Sequence, residues 1–317
     1  MSVRLFIDGA AGTTGLEIRE RISERRDLAL VTLDDARRKD PAARAEALNQ
    51  ADVVILCLPD DAAIEAVGLI ESNSVKVIDA STAHRTASGW TYGFAELEAG
   101  RRAELATATR VSNPGCYPTG FLALVRPLIR EGLMPASLPV SVDAASGYSG
   151  GGKAMIASFE DPAAGGATAT AYRAYGLGLA HKHVPEMHAH SGLDQAPVFT
   201  PSVVRTYRGM IVGVSLSLDS LTGAPDAARL RELLADSYVG APLIRVMDAA
   251  ATTGVASLDI ERCAGTDRME LFVFANERSR QARLVAVLDN LGKGAGGAAV
   301  QNLNLMAGMD EVTGLVV

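Results

Sequence analysis

Val3-Arg-Leu-Phe-Ile-Asp-Gly-Ala-Ala-Gly-Thr-Thr-Gly15 decides how this chain is read. The apolar run Val3 to Ile7 fits a buried parallel strand. Gly9, Gly12 and Gly15 follow at GxxGxxG spacing, and Leu16, Ile18 and Ile22 then recur close to the helical period. Strand, glycine turn and helix in that order let a dinucleotide's phosphates approach backbone N–H groups at the helix start. Thr13 and Thr14 add hydroxyls to the cradle. Glycines that serve only a tight turn are the plainer alternative.

The same alternation continues outward. Leu28 to Leu33 reads as a second strand, and residues just after such a strand meet the adenosine ribose. The text there is Asp34-Asp35-Ala-Arg37-Arg38. An acid suits NAD and an arginine suits the 2′-phosphate of NADP, so the local signal is mixed, and the arginines serve equally well as a solvated pair. Asp52 to Leu58 is a third strand, with Cys57 in its core, Ala62 to Ile70 a helix and Val75 to Ile78 a fourth strand. Strands alternating with helices predict a parallel sheet. Asp79-Ala-Ser-Thr-Ala-His-Arg85 lies where open α/β sheets bind ligands. Ser81 is a contact for cofactor or substrate. Arg85 suits an anionic substrate group or a domain-edge ion pair, and His84 reads as structural or exposed.

Ser112-Asn-Pro-Gly-Cys-Tyr-Pro-Thr-Gly120 carries the candidate nucleophile. Cys116 follows a Pro-Gly turn and precedes an apolar helical run, where free backbone N–H groups and the helix dipole favour a thiolate. Pro127 is expected to kink that helix or start a new turn. Leu138 to Val142 reads as a strand. Ser146-Gly-Tyr-Ser-Gly-Gly-Gly-Lys153 reads as a flexible turn whose N–H groups, with Ser146, Ser149 and Lys153, can face a phosphate or cofactor; a plain mobile loop is the alternative. His181 and His183 alternate on a segment read as extended, so both would look the same way. Pro185 ends that segment and puts Glu186 in the first turn of a helix; His188 and His190 fall on its surface. Without an acid or thiol beside the pair, a metal is not expected. Val198 to Tyr207, Met210 to Leu218, Ala256 to Arg262 and Met269 to Ala275 read as strands in a mixed or antiparallel sheet, with a helix over Ala227 to Tyr238.

Composition excludes several classes. A net charge of −7 with no basic block speaks against nucleic acid. No apolar run approaches the ~20 residues of a membrane span, and the N-terminus lacks a signal peptide's pattern. Cys57, Cys116 and Cys263 are too far apart for a disulfide framework or a CxxC pair, which fits a reducing cytoplasm.

Ser112 to Thr119, with Gly9 to Gly15, Asp79 to Arg85, Ser146 to Lys153, His181-Lys-His-Val-Pro-Glu-Met187, Asp289-Asn-Leu-Gly-Lys-Gly294 and Gln301 to Met306, resembles the shorter form of the N-acetyl-gamma-glutamyl-phosphate reductase family of arginine biosynthesis. The resemblance spans nearly the whole chain. It implies an α/β fold: a Rossmann-like parallel-sheet dinucleotide domain, residues 1–115 plus 290–317, and an α+β catalytic and dimerisation domain with a mixed sheet, residues 116–289. It tips the cofactor to NADP(H), held by Gly9, Gly12, Thr13, Thr14, Gly15, Arg37, Ser81, Asn290 and Lys293, with no metal. It implies Cys116, His181 and His183 as catalytic residues. Arg85, Asn113, Ser146, Ser149, Lys153 and Glu186 would hold an acyl phosphate and the released phosphate. A cytoplasmic homodimer or homotetramer is expected. Aspartate-semialdehyde dehydrogenase and a reductase of the longer acetyl-aminoadipyl phosphate are the enzymatic rivals. A non-catalytic NADP sensor would need only the glycine turn.

Overall fold

The structure, a computed structural model, describes residues 2–34, 37 and 40–317. Asp35 and Arg38, two of the expected ribose-facing residues, lie outside the described residues. The chain forms two compact units: Met1–Gly115 with Ala295–Leu315, and Cys116–Gly294 with Val316–Val317. The return to the first unit thus comes at Ala295, and residues 290–294 belong to the second.

The first unit runs β1 (Val3–Asp8), α1 (Thr13–Ile22), β2 (Leu28–Val31), α2 (Pro41–Gln50), β3 (Val53–Leu56), α3 (Asp60–Gly68), β4 (Lys76–Asp79), β5 (Thr91–Tyr92), α4 (Arg101–Thr107) and β6 (Arg110–Ser112). Its six strands lie in the order β2-β1-β3-β4-β6-β5, all parallel. Both faces are covered, as a parallel sheet requires. β1 sends Leu5 and Ile7 into one core with Ile18, Val111 and Leu303, and Phe6 into the other with Leu48, Val54 and Val77. A C-terminal helix, Gly297–Met306, closes the first of these cores. Because the strands run parallel, the turns after β1, β4 and β6 all stand at one sheet edge.

The second unit runs α5 (Cys116–Arg130), β7 (Ser141–Gly147), α6 (Gly152–Glu160), β8 (Tyr172–Ala174), α7 (Val184–Ser191), β9 (Val198–Val204), β10 (Met210–Ser217), α8 (Ala227–Ser237), β11 (Ile244–Val246), α9 (Ala249–Thr252), β12 (Met269–Asn276) and β13 (Gln281–Leu288). Its seven-stranded sheet, β11-β12-β13-β10-β7-β9-β8, mixes directions: β7–β9 and β11–β12 are parallel, the other pairs antiparallel.

Pro127 lies inside α5, Cys116–Arg130. A proline N–H is missing there, so the carbonyl four residues back needs another donor, and Tyr238 Oη donates to Ala123 O at 2.8 Å. Residues 256–262 form no strand. Ile260 O instead lies against Gly209, 2.4 Å from where a Cβ on that glycine would stand. The glycines after Ser149 run into α6, which Gly152 opens. No helix among the described residues is long and apolar enough to cross a membrane.

Candidate active site

The glycine turn has no room for side chains. Gly9 holds φ +83°, and a Cβ on it would stand 2.3 Å from Cys57 O; one on Gly15 would stand 2.6 Å from Gly9 O. Gly12 N–H donates to Gly9 O at 2.9 Å, and no side chain caps the start of α1, so its first-turn amides stay available to an anion. Beside the turn is a cavity of about 370 Å³ lined by Ile7, Ala10, Arg19, Leu30, Thr32 and Leu33. Uncapped amides next to an apolar slot fit the pyrophosphate and adenosine of a dinucleotide. Sequence reasoning missed Arg19; its position four residues after Gly15 on the helix was the available signal. Asp34 Oδ1 accepts from Arg37 N–H at 2.8 Å, and Arg37 pairs with Glu46 at 3.2 Å on the exposed surface.

At the same sheet edge Asp79 is fully buried. It accepts from Ser81 N and Ser81 Oγ at 2.9 and 2.7 Å, and His84 Nδ1 lies 2.6 Å from its Oδ2. His84 stacks on Trp90 at 4.0 Å between centroids, so it is structural rather than exposed. Arg85 is buried and donates to Asn113 O at 3.0 Å and to Ala80 O at 3.2 Å. Asn113 Nδ2 donates to Ala295 O at 3.0 Å, and its Oδ1 accepts from Asn302 Nδ2 at 3.1 Å. Both residues, expected to bind substrate, thus have contacts that fix the turn leading to Cys116. Asn302 is a further residue that sequence reasoning missed.

Cys116 opens α5. A Cβ on Gly294 would stand 2.8 Å from Cys116 Cβ, so the π-helical turn Gly292–Gly296 abuts the start of α5. Such turns recur at functional sites. Tyr117 Oη donates to Ser202 O at 3.0 Å and accepts from Tyr175 Oη at 3.2 Å. Burial pushes the Tyr175 phenol up to about 12, and the charge of Cys116 adds to that rise. Burial likewise raises Tyr117 well above its usual value, with Tyr175 and then Cys116 contributing. Both phenols therefore feel the thiol.

The histidines meet through a turn and not through strand alternation. Val184 N–H donates to His181 O at 2.9 Å, and His183, at the N-cap of α7, has helical backbone angles. His181 and His183 rings lie 4.8 Å apart, and His181 is boxed by Tyr117, Tyr175 and Phe199. His183 N–H donates to His181 Nδ1 at 3.1 Å, so the neutral His181 ring carries its proton on Nε2. Burial, then the charge of Lys182, lowers His181 to about 4, which keeps it neutral at ordinary pH. Glu186 is buried in the first turn of α7.

Ser149 Oγ accepts from Asn290 Nδ2 at 2.9 Å, and Asn290 Oδ1 accepts from Gly209 N–H at 2.9 Å. Asn290 and the buried Lys293, both expected to meet the cofactor, lie in the second unit. Ser146 Oγ donates to Gly147 O at 3.0 Å. Lys153 stands exposed near the start of α6. Cys57 is inert, since burial, then Asp79 and Asp8, raise it to about 12. No group of three or more metal-ligating side chains occurs among the described residues.

Residues 4–106 match the family model described as semialdehyde dehydrogenase, NAD binding domain, and residues 116–290 match semialdehyde dehydrogenase, dimerisation domain. The N-acetyl-gamma-glutamyl-phosphate reductase of Brucella anthropi is 52% identical over 309 residues, covering 97% of this chain and 99% of that protein. That of Trichormus variabilis is 50% identical over 318 residues, covering 98% and 99%. Aspartate semialdehyde dehydrogenase II from Vibrio cholerae, complexed with ASA, shares the fold at a TM-score of 0.74 and 16% identity, covering 97% of this chain and 98% of that one. The enzyme from Candida albicans with NADP does so at 0.63 and 13%, covering 97% and 99%.

Proposed function

The chain belongs to the N-acetyl-gamma-glutamyl-phosphate reductases, NADP-dependent oxidoreductases of the semialdehyde dehydrogenase family, and on that premise we propose that Cys116 is the nucleophile of a reductive dephosphorylation. The observation that carries the reading is Cys116 at the first position of α5, pressed by Gly294 and bordered by Tyr117. The thiolate attacks the acyl carbon of N-acetyl-gamma-glutamyl phosphate, the carbon–oxygen bond to phosphate breaks, and inorganic phosphate leaves with a thioester on Sγ. Gly9, Gly12, Thr13, Thr14 and Gly15 hold the cofactor, with Arg19 and Arg37 beside the ribose. When bound, NADPH supplies a hydride to the acyl carbon. His181, neutral and protonated at Nε2, donates a hydrogen bond to the oxygen on which charge develops and keeps its proton, so that the oxygen stays an alkoxide. The carbon–sulfur bond then breaks, the aldehyde N-acetylglutamate semialdehyde departs, and Cys116 is a thiolate again.

His183 orients His181 through its backbone N–H. Arg85 and Asn113 hold the turn before Cys116. Ser146, Ser149, Lys153 and the uncapped start of α6 take the anionic ends of the substrate, with Glu186 on its amide side. A homodimer or homotetramer built on the second unit completes the proposal.

The test runs the reaction backward, which avoids the unstable acyl phosphate. N-acetylglutamate semialdehyde, aspartate semialdehyde or the longer acetylated homologue is supplied with phosphate and NADP, and reduced cofactor is followed by absorbance. The first should win in kcat/KM by at least about tenfold, the low end of what one methylene discriminates. A win by aspartate semialdehyde, or turnover without phosphate, refutes the reading.

A further inference from the structure

Asp267 and Asp289, both fully buried in the second unit, have no part in the reaction proposed above. Asp289 fixes the segment that follows it. Its Oδ1 accepts from Leu291 N–H at 2.8 Å and its carbonyl from Gly294 N–H at 3.0 Å. Its Oδ2 accepts from Gly265 N–H at 2.6 Å, which ties in a second loop, residues 263–267. That loop is rigid at its start, where the buried Cys263 O accepts from Thr266 Oγ1 at 2.8 Å and from Thr266 N–H at 3.2 Å.

The loop presses on the turn that reaches Cys116. A Cβ on Gly292 would stand 2.1 Å from Thr266 O and 3.2 Å from Asp267 Oδ1. Two residues on, a Cβ on Gly294 would stand 2.8 Å from Cys116 Cβ. Thr266 and Asp267, then Gly292 and Gly294, then Cys116 are therefore linked by close approaches that leave no room for a side chain. Asp267 is also held from its other side. Its N–H donates to Val316 O at 2.7 Å, and its Oδ2 accepts from Val316 N–H at 2.9 Å. Val316 is 52% exposed, so its backbone groups, and not burial of its side chain, make this pairing. One carboxylate oxygen thus faces Gly292 while the other takes the Val316 amide.

We propose that Asp267 is a positioning residue for the nucleophile: clasped by Val316, it backs Gly292 and so sets the approach of Gly294 to Cys116. The inference rests on the role given to Cys116 above. Asp267 makes and breaks no bond in the reaction; it acts through the backbone of residues 292–294. A support of this kind shows in kcat rather than KM, because a small displacement at a reacting atom is costly in rate while the groups that hold substrate and cofactor stay in place.

Two variants separate the clasp from the side chain that carries it. Val316→Pro removes the N–H that Asp267 accepts, and Val316→Ala keeps it. Val316→Pro should lower kcat of the semialdehyde reaction at least fivefold, with KM for the semialdehyde within twofold of wild type, and Val316→Ala should restore wild-type behaviour. Amide hydrogen exchange over residues 291–294 should be at least threefold faster in Val316→Pro alone. Gly294→Ala opens the same approach, so adding Val316→Pro to it should cost less than a further twofold in kcat, whereas independent effects multiply. Unchanged kcat or unchanged exchange in Val316→Pro, an equal loss in Val316→Ala, or losses that multiply in the double variant overturn the proposal. If the wild type turns over no semialdehyde, the functional reading fails, while exchange still decides whether Val316 and Asp267 hold the turn.

Discussion

Replacing Gly294 by alanine puts one methyl group against Cys116, the proposed nucleophile. The added Cβ would stand 2.8 Å from Cys116 Cβ and 3.3 Å from its Cα. Non-bonded carbons rest at about 3.5–4.0 Å, so the two segments must part by roughly 0.7 Å or more. Neither side yields easily. Gly294 N–H is bonded to Asp289 O at 3.0 Å, and the buried Asp289 accepts in turn from Leu291 N–H and Gly265 N–H at 2.8 and 2.6 Å. Cys116 heads a helix whose next residue, Tyr117, is tied to Ser202 O. A displacement near 1 Å at a reacting atom costs on the order of 10²-fold in rate, and overpacking costs about 1–3 kcal/mol of stability. Gly294→Ala should therefore lower kcat of the reverse reaction by about 10²-fold at saturating substrates, or roughly 2.7 kcal/mol of barrier. NADPH affinity, measured by cofactor fluorescence, should stay near wild type. Gly68→Ala, where a Cβ meets nothing within 4 Å, serves as the control. A Gly294→Ala enzyme with kcat within threefold of wild type would show that the close approach does not set the position of the thiol.

Other outcomes follow from single contacts. Cys116→Ser should keep the fold and NADPH binding but lose kcat by several orders of magnitude; a variant retaining more than about a tenth of the rate, a loss of only ~1.4 kcal/mol of barrier, removes the nucleophile's role. NADPH should exceed NADH in kcat/KM, and Arg19→Ala should raise the KM for NADPH more than it lowers kcat; equal use of the two cofactors contradicts this. His181 at about 4 in the folded chain lies below the ~6.5 of an unfolded one, so as pH falls from ~6.5 to 4 the unfolded chain takes up the proton first and stability drops. His181→Gln should remove that part of the decline in denaturation midpoint, and a decline identical in both proteins would refute the lowered value. Tyr238→Phe should destabilise by ~1–3 kcal/mol, because Ala123 O loses the donor that stands in for Pro127's missing N–H; an unchanged midpoint in urea would mean that the carbonyl finds another donor.

Local grammar made the first unit legible. Alternating apolar runs and the glycine spacing at residues 9–15 require only neighbouring residues, and they predict the parallel sheet that forms. The helix beginning at Cys116 was legible for the same reason. Residues 181–186 show where local reading stops: extended alternation and a tight turn both bring His181 and His183 together, and the bonds from Val184 N–H to His181 O and from His183 N–H to His181 Nδ1 tell them apart. The second bond also decides the chemistry, since it leaves the proton on Nε2. Residues 256–262 alternate well enough to be a strand, but a strand needs an edge, and pairing partners are not written in the segment itself. The tail is the furthest case. Asp289 to Gly297 announces only a glycine-rich loop, yet within the second unit Gly294 meets Cys116, and within the first Ala295 O holds Asn113. Gly294 is required by a close approach to Cys116 across more than half the chain. Its position beside the thiol, and not its flexibility, is what the reaction would use.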